Sequence, residues 1–272
     1  MSSADLDYLR DIGAVKRLAS RTIVVTGAAG GIGRAAALRC AAEGANIVAV
    51  DRDAPALASL IGAVNELGSD CSMVEGDISD LATVESMMSV ADTAFGRLDG
   101  LVNNAATSGK LTSFETADPE EFSRMIAVNV QPVWRSMQLA RAPMARRNGG
   151  AIVNIASLAA LRAERGVALY GMTKGAVANL TMNAALDYAS ANIRVNAVCP
   201  GPVETPMLGK MEKIIDASDT EAARKKIAST IPLRRCATVW EIAGAVAFLL
   251  SDDASFITGV LLPVDGGKSV KQ

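Results

Sequence analysis

The 272-residue sequence contains no histidine. That removes the Ser-His-Asp triads, the imidazole metal sites and the histidine general bases that serve much enzyme chemistry near neutral pH. Cysteine is scarce as well. Cys40, Cys71, Cys199 and Cys236 lie far apart and form no CxxC pair, so neither a disulfide framework nor a zinc centre is expected, and no metal site is expected. Each cysteine sits among small or apolar neighbours and reads as a buried free thiol. Aromatic residues make up 4% of the chain, too few for an extensive stacking pocket. Neither sign of charge predominates: the net charge is −2, with no basic stripe and no like-charge block. Nucleic acid is therefore not an expected partner, and no charged disordered tail is expected. No uninterrupted apolar run reaches membrane-spanning length. Residues 1–20, "MSSADLDYLRDIGAVKRLAS", carry three aspartates and no continuous apolar core, unlike a secretory leader. The expectation is a soluble, cytoplasmic protein with an N-terminal extension over 1–20, either a loose arm or a short amphipathic helix.

What the chain has in quantity is apolar and small residues, 50% of them hydrophobic. They are grouped in short runs. "RTIVVTG", "NIVAVD", "CSMVEGD", "LDGLVNNA", "GAIVNIAS", "NIRVNAVCPG" and "GVLLPVD" read as strands. Helical stretches alternate with them, including a long one from about Pro119 to Arg147 and another from about Ala168. The strands are continuous runs rather than period-2 alternations, as expected for parallel strands buried on both faces. The pattern predicts an α/β fold, a Rossmann-type doubly wound sheet of about seven parallel strands with helices on both faces. A single domain over 21–272 is expected, since no linker, repeat or low-complexity segment interrupts it.

The first strand ends in "TGAAGGIGRAA". A turn this tight, opening directly into a helix, needs residues without a Cβ where the backbone folds back. It also gathers free helix N–H groups and the positive end of the dipole at one spot, which suits a pyrophosphate. Gly31, Gly33 and Ala36 satisfy GxGxx[G/A], a weak match alone. An acid, Asp51, ends the second strand. A carboxylate there can accept from both ribose hydroxyls of adenosine and repels a 2′-phosphate. Neither position 29 nor position 30 is basic, although Arg52 follows the acid and could hold such a phosphate. NAD is expected over NADP; the plain alternative for Asp51 is a strand-end turn acid.

Further motifs follow in one order. "TGAAGGIG" (Thr26 to Gly33) matches TGxxxGxG, and "NNAA" (Asn103 to Ala106) matches NNAG with alanine in the last place. "VNV" places Asn129 in the long helix, Ser157 precedes Tyr170, and Tyr170 and Lys174 form YxxxK. "NAVCPGPVETPM" matches NxVxPGxxxT, and "ITGVLLPVDGG" closes the set. The sequence resembles the short-chain dehydrogenase/reductase family over about residues 20–267. YxxxK alone is weak; the ordered set is specific. The resemblance implies hydride transfer between NAD and a secondary alcohol or ketone, with Asn129, Ser157, Tyr170 and Lys174 as the catalytic set. It implies a cofactor cleft built from Gly27, Gly31, Ile32, Gly33, Asp51, Arg52, Asp77, Ile78, Asn104, Ala105, Tyr170, Lys174, Pro200, Gly201, Val203 and Thr205. Within it, Asp77 and Ile78 would flank the adenine, and Val203 and Thr205 would lie by the carboxamide and pyrophosphate. Asn103 would stabilise the central strands, and the assembly would be a homotetramer.

The chemistry asks for a proton to be moved at the substrate oxygen. An unperturbed tyrosine, with a pKa near ~10, is a poor base at neutral pH, and a nearby cation favours the phenolate. Lys174, four positions on along one helical face, is expected to lower Tyr170 and, by the resemblance, to bind the nicotinamide ribose. Ser157 would hold the substrate oxygen, and Asn129 a water linking Lys174 to solvent. The substrate rim is expected from 106–110, 158–167 and a polar lid over about 206–231. Arg162 and Arg165, with Lys110 and Lys210, could ring the mouth and favour an anion. Alternatively they are solvated surface, with Glu164 neutralising one arginine. A catalytically silent NAD-binding sensor or scaffold is the alternative function. Epimerase or lyase chemistry is disfavoured by the short C-terminal part.

Overall fold

The computed structural model describes residues 3–110 and 114–271; the first two residues of the N-terminal extension and the last residue of the domain lie outside it. The strands fall on the apolar runs: β1 Thr22–Thr26, β2 Asn46–Asp51, β3 Cys71–Glu75, β4 Gly100–Asn103, β5 Gly150–Ile155, β6 Ile193–Pro200 and β7 Leu261–Val264. All pair in parallel in one sheet, ordered β3-β2-β1-β4-β5-β6-β7. The helices between them are α1 Ser3–Ile12, α2 Gly31–Ala42, α3 Ala54–Glu66, α4 Leu81–Phe95 and α5 Pro119–Asn129, then α6 Gln131–Arg146, α7 Ala168–Tyr188, α8 Pro206–Ile215, α9 Thr220–Ser229 and α10 Val239–Leu250.

Alternate residues of each central strand feed two separate cores. Ile23 and Val25 of β1 pack with α2, α3 and α10, while Val24 packs with α4, α6 and α7. Val102 and Leu101 of β4 divide in the same way. Burying both faces accounts for the unbroken apolar runs. The outer strands depart from this expectation: β3 buries only Val74, and no residue of β7 is fully buried. The chain runs outward from β1 through β2 and β3, then crosses back to β4 on the other side. That reversal opens a crevice beyond the carboxyl ends of β1 and β4, where doubly wound sheets bind ligands.

One segment differs from expectation, and the N-terminal extension takes the helical one of its two alternatives. The long helix is divided at Val130, whose backbone (φ −118°, ψ −56°) is pulled away from ideal helical values between α5 and α6. Pro132 sits in the first turn of α6; a proline there has no N–H to continue the preceding ladder. The N-terminal extension is neither loose nor apart. Leu9 and Leu18 are fully buried, Tyr8 packs on Trp240 with ring centroids 5.8 Å apart, and Trp240 Nε1 donates to Asp5 at 3.2 Å. A Cβ on Gly13 would run into the carbonyl oxygen of Ala42, so α1 closes directly onto the end of α2. Beneath this contact Glu43, with no exposed surface, takes Arg17 at 2.7 Å and Arg39 at 2.6 Å.

Candidate active site

The glycine turn is built by close approach. Gly27 (φ 67°) and Gly31 (φ 54°) adopt left-handed backbone that disfavours a side chain. A Cβ on Gly33 would collide with the Gly27 carbonyl oxygen and lie 2.5 Å from Asn104 Nδ2. Asn104 ties the end of β4 to this turn, donating to Thr26 O at 2.9 Å and Gly27 O at 3.2 Å. Thr26 Oγ1 answers by accepting from the backbone of Asn104 and Ala105 at 3.0 and 3.1 Å. No side chain caps α2, nor α6 and α7, whereas Asp53, Asp80, Asp118, Thr205, Asp219 and Thr238 cap α3, α4, α5, α8, α9 and α10. The first N–H groups of α2 are thus left for an anion, which fits a dinucleotide pyrophosphate.

Other predicted cofactor residues lie at or just past the carboxyl ends of the strands. Pro200 ends β6, and Gly201 lies so close to Asp265 that a Cβ would sit 2.9 Å from its Cα. Val203 bridges to Ala237. Thr205 approaches the turn: a Cβ on Gly31 would be 3.5 Å from its methyl carbon. Ile32 and Ile78 pack against the two cores. Asp51 faces the turn, accepting from Ala29 N at 3.0 Å with one oxygen and from Arg52 N at 2.8 Å with the other. The Arg52 guanidinium leans toward Asp77 at 3.9 Å. Asp77 is held below the usual carboxylate range because the backbone and hydroxyl of Ser79 both donate to it.

The four predicted catalytic residues come from three places. Asn129 ends α5, Ser157 follows β5, and Tyr170 and Lys174 sit in the first turns of α7. Ser157 Oγ accepts from Ala159 N at 3.1 Å and lies near enough to the Tyr170 phenol to act on its protonation. Lys174 is 3% exposed; its Nζ donates to Ile155 O at 2.7 Å and lies 5.8 Å from the Tyr170 ring centroid. The electrostatics run against the expected tuning. Burial raises the Tyr170 phenol, and the Ser157 hydroxyl only opposes this. Burial also pushes the Lys174 ammonium down to about 8. With Lys174 buried and Tyr170 half-buried, both charged forms are disfavoured.

Asn129 is 1% exposed and acts as a brace. Its Oδ1 accepts from Thr107 N at 2.8 Å, and its Nδ2 donates to Thr107 O at 2.9 Å and Thr173 Oγ1 at 3.1 Å. Thr173 in turn donates to Tyr170 O at 2.8 Å. The helix break therefore lets one side chain join α5, the 106–110 loop and α7. Thr173, directly before Lys174, was not singled out in the sequence, and only its place inside YxxxK could have flagged it.

Behind the site runs a second polar chain. Ser136 Oγ donates to Asn103 Oδ1 at 2.7 Å, Asn103 to Asn154 at 2.8 Å, and Asn154 to Thr181 at 2.9 Å. Asn103 is thus a sheet-spanning strut, as expected, and every member of the chain is satisfied.

At the rim, Arg162 donates to Lys268 O at 2.8 Å, and Glu164 pairs with Lys268 at 2.9 Å rather than with an arginine. Arg165, Lys110 and Lys210 are exposed. α8 and α9 are joined by a small apolar cluster of Leu208, Ile227, Ile231 and Cys236 and by Arg224 on the buried Glu212 at 2.7 Å. No helix among the described residues is long and apolar enough to cross a membrane.

Residues 27–269 match a family model described as enoyl-(acyl carrier protein) reductase. Levodione reductase of Leifsonia aquatica is 35% identical over 255 residues, covering 93% of this chain and 96% of that protein. 3beta-Hydroxysteroid dehydrogenase 2 of Eggerthella lenta is 38% identical over 253 residues, covering 93% and 96%. Among solved structures, levodione reductase superposes with a TM-score of 0.91 at 34% identity, over 93% of this chain and 99% of that one. NAD+-bound xylitol dehydrogenase gives 0.88 at 34%, over 92% and 99%.

Proposed function

The chain belongs to the short-chain dehydrogenase/reductase family of oxidoreductases, and from that premise we propose that it transfers hydride between NAD and a secondary alcohol or ketone, with Tyr170 as the acid/base. The observation that supports the reading is the gathering of Ser157, Tyr170 and Lys174 at the same carboxyl end of the parallel sheet as the uncapped N-terminus of α2. The nicotinamide, when bound, supplies or accepts the hydride. Gly27, Gly31, Gly33, Asn104 and the α2 N-terminus would hold its pyrophosphate, Asp51 the adenosine ribose and Lys174 the nicotinamide ribose. Ser157 holds the substrate oxygen at the phenol, and Tyr170 gives or takes the proton there. Burial excludes water and keeps the phenol protonated until a cation comes close, so the acid form is the resting form. Asn129 and Thr173 fix the backbone around Tyr170, and Asn129 would hold the water that links Lys174 to solvent. Tyr170→Phe should abolish turnover and leave NAD affinity nearly unchanged; wild-type turnover in that variant would sink the mechanism.

NAD preference rests on Asp51 beside Ala29, with no basic residue in the turn and Arg52 drawn toward Asp77. The ratio of kcat/KM for the two cofactors tests it, and a preference for NADP would overturn it. Several large apolar side chains lie open on α5, α6 and α7, including Phe122, Trp134, Met182 and Leu186, which supports a homotetramer packed through these helices. The segment 206–231 would serve as the substrate lid. An anionic substrate is compatible with Arg165, Lys110 and Lys210 remaining exposed, while Arg162 is committed to Lys268.

A further inference from the structure

A cavity of about 280 Å³ opens where β1, β4, β5 and β6 begin, at the opposite end of the sheet from the glycine turn. Arg21, Arg97, Arg147 and Arg194 line it, against the carboxylates Asp99 and Asp252. The pairing is lopsided. Arg97 takes Asp99 bidentately at 2.6 and 2.7 Å, and Asp99 also accepts from Thr22 N at 2.8 Å. Arg21 takes Asp252 at 2.6 Å and donates to Leu250 O at 2.8 Å. Arg194 is held by backbone carbonyls alone, Leu249 O at 2.8 Å and Ser251 O at 3.0 Å, which satisfy its donors without cancelling its charge. Arg147 follows the last turn of α6, and its guanidinium has no hydrogen bond or ion pair to another described residue. Two of the four cations therefore lack a carboxylate.

The electrostatics agree with the geometry. Burial lowers the Arg194 guanidinium from its ordinary value, the nearby Arg21 lowers it further, and Asp252 only opposes this. Like charges thus crowd a partly dry hollow. A smaller adjoining hollow shares Arg97 and Arg147 and adds Arg146, with Asp92 on its wall. Guanidinium forks match phosphate oxygens in pairs, and Arg97 Nη1 and all of Arg147 remain open for such a contact.

We propose that this rear cavity binds a small, multiply charged phosphate-type oxyanion, seated on Arg147 and Arg97 with Arg194 and Arg21 behind. Its volume lies below the range of about 300–1,000 Å³ usual for drug-sized ligands, which favours phosphate or pyrophosphate over a nucleotide. The site is separate from the α2 N-terminus, because the two lie at opposite ends of β1.

The test is calorimetric titration of sodium pyrophosphate into the full chain with saturating NAD, against sodium chloride at equal ionic strength. One site is expected, weakened about tenfold or more in Arg147→Gln and less in Arg147→Lys, with Arg10→Gln unchanged. Arg147 holds no part of the fold together, so its variants should unfold in chloride buffer at the wild-type Tm. Absence of binding, equal binding by Arg147→Gln, an equal loss in Arg10→Gln, or abolition by NAD would each overturn the assignment. The last would place the anion at the glycine turn.

Discussion

Lys174→Met separates what the lysine costs the fold from what it does for the chemistry. The ammonium is 3% exposed, and burial moves its pKa from 10.5 to about 8. That interval corresponds to about 3 kcal/mol borne by the folded state while the amine is charged. The unfolded chain binds the proton more tightly than the folded one, so stability rises with pH between the two values. Below about pH 8 both states hold the proton and the whole penalty is present; above 10.5 neither does and it is gone. Methionine carries no charge and escapes the penalty, but loses the 2.7 Å bond to Ile155 O, worth about 1 kcal/mol. Near neutral pH the variant should therefore resist urea better than the wild type while showing no turnover. Its advantage should shrink by about 3 kcal/mol as pH rises past the unfolded value and end as a small deficit. Urea unfolding of both proteins at equal concentration measures this, the concentration being fixed because assembly adds to apparent stability. A stability difference that stays constant from neutral to alkaline pH would refute the reasoning.

Glu43→Ala leaves Arg17 and Arg39 facing each other under α1 without their shared carboxylate; it should cost about 3 kcal/mol in urea unfolding, and a loss under a third of that would mean the pair is solvent-screened. Gly33→Ala drives a methyl into the Gly27 carbonyl and Asn104, so it should destabilise by about 2 kcal/mol and weaken NAD in a fluorescence titration; unchanged affinity would mean the turn relaxes freely.

Much of this molecule can be read from local runs, and the reason is physical. A strand buried on both faces must be apolar at every position, so β1, β2, β4, β5 and β6 announce themselves, whereas β3 and β7 at the edges are under no such demand. Tyr170, Lys174 and the glycine turn were legible because their spacing along one helix or one turn is their geometry. The division at Val130 was not, since the apolar pattern runs through it and the Pro132 signal is compatible with either an end or a start. The Ser136–Asn103–Asn154–Thr181 chain was hidden as a set, because its members meet only once the strand order is fixed. That burial raises the Tyr170 phenol was hidden for a related reason. Helical spacing brings an ammonium near a phenol, but it does not report how much water the fold removes from both.

The last residues of the chain have a practical consequence. Lys268 receives Arg162 through its carbonyl and reaches Glu164 through its ammonium, and Lys271 touches the carbonyls of Ser229 and Thr230 at 3.3 Å. Lys268 and Lys271 thus fasten both the 158–167 loop and the end of α9, the two segments proposed to wall the substrate. The N-terminal helix lies instead against α2 and Trp240. Substitutions at Lys268 or Lys271 would therefore loosen the two segments proposed to choose the substrate, and kinetic constants from such variants would report that fastening as well as the chemistry.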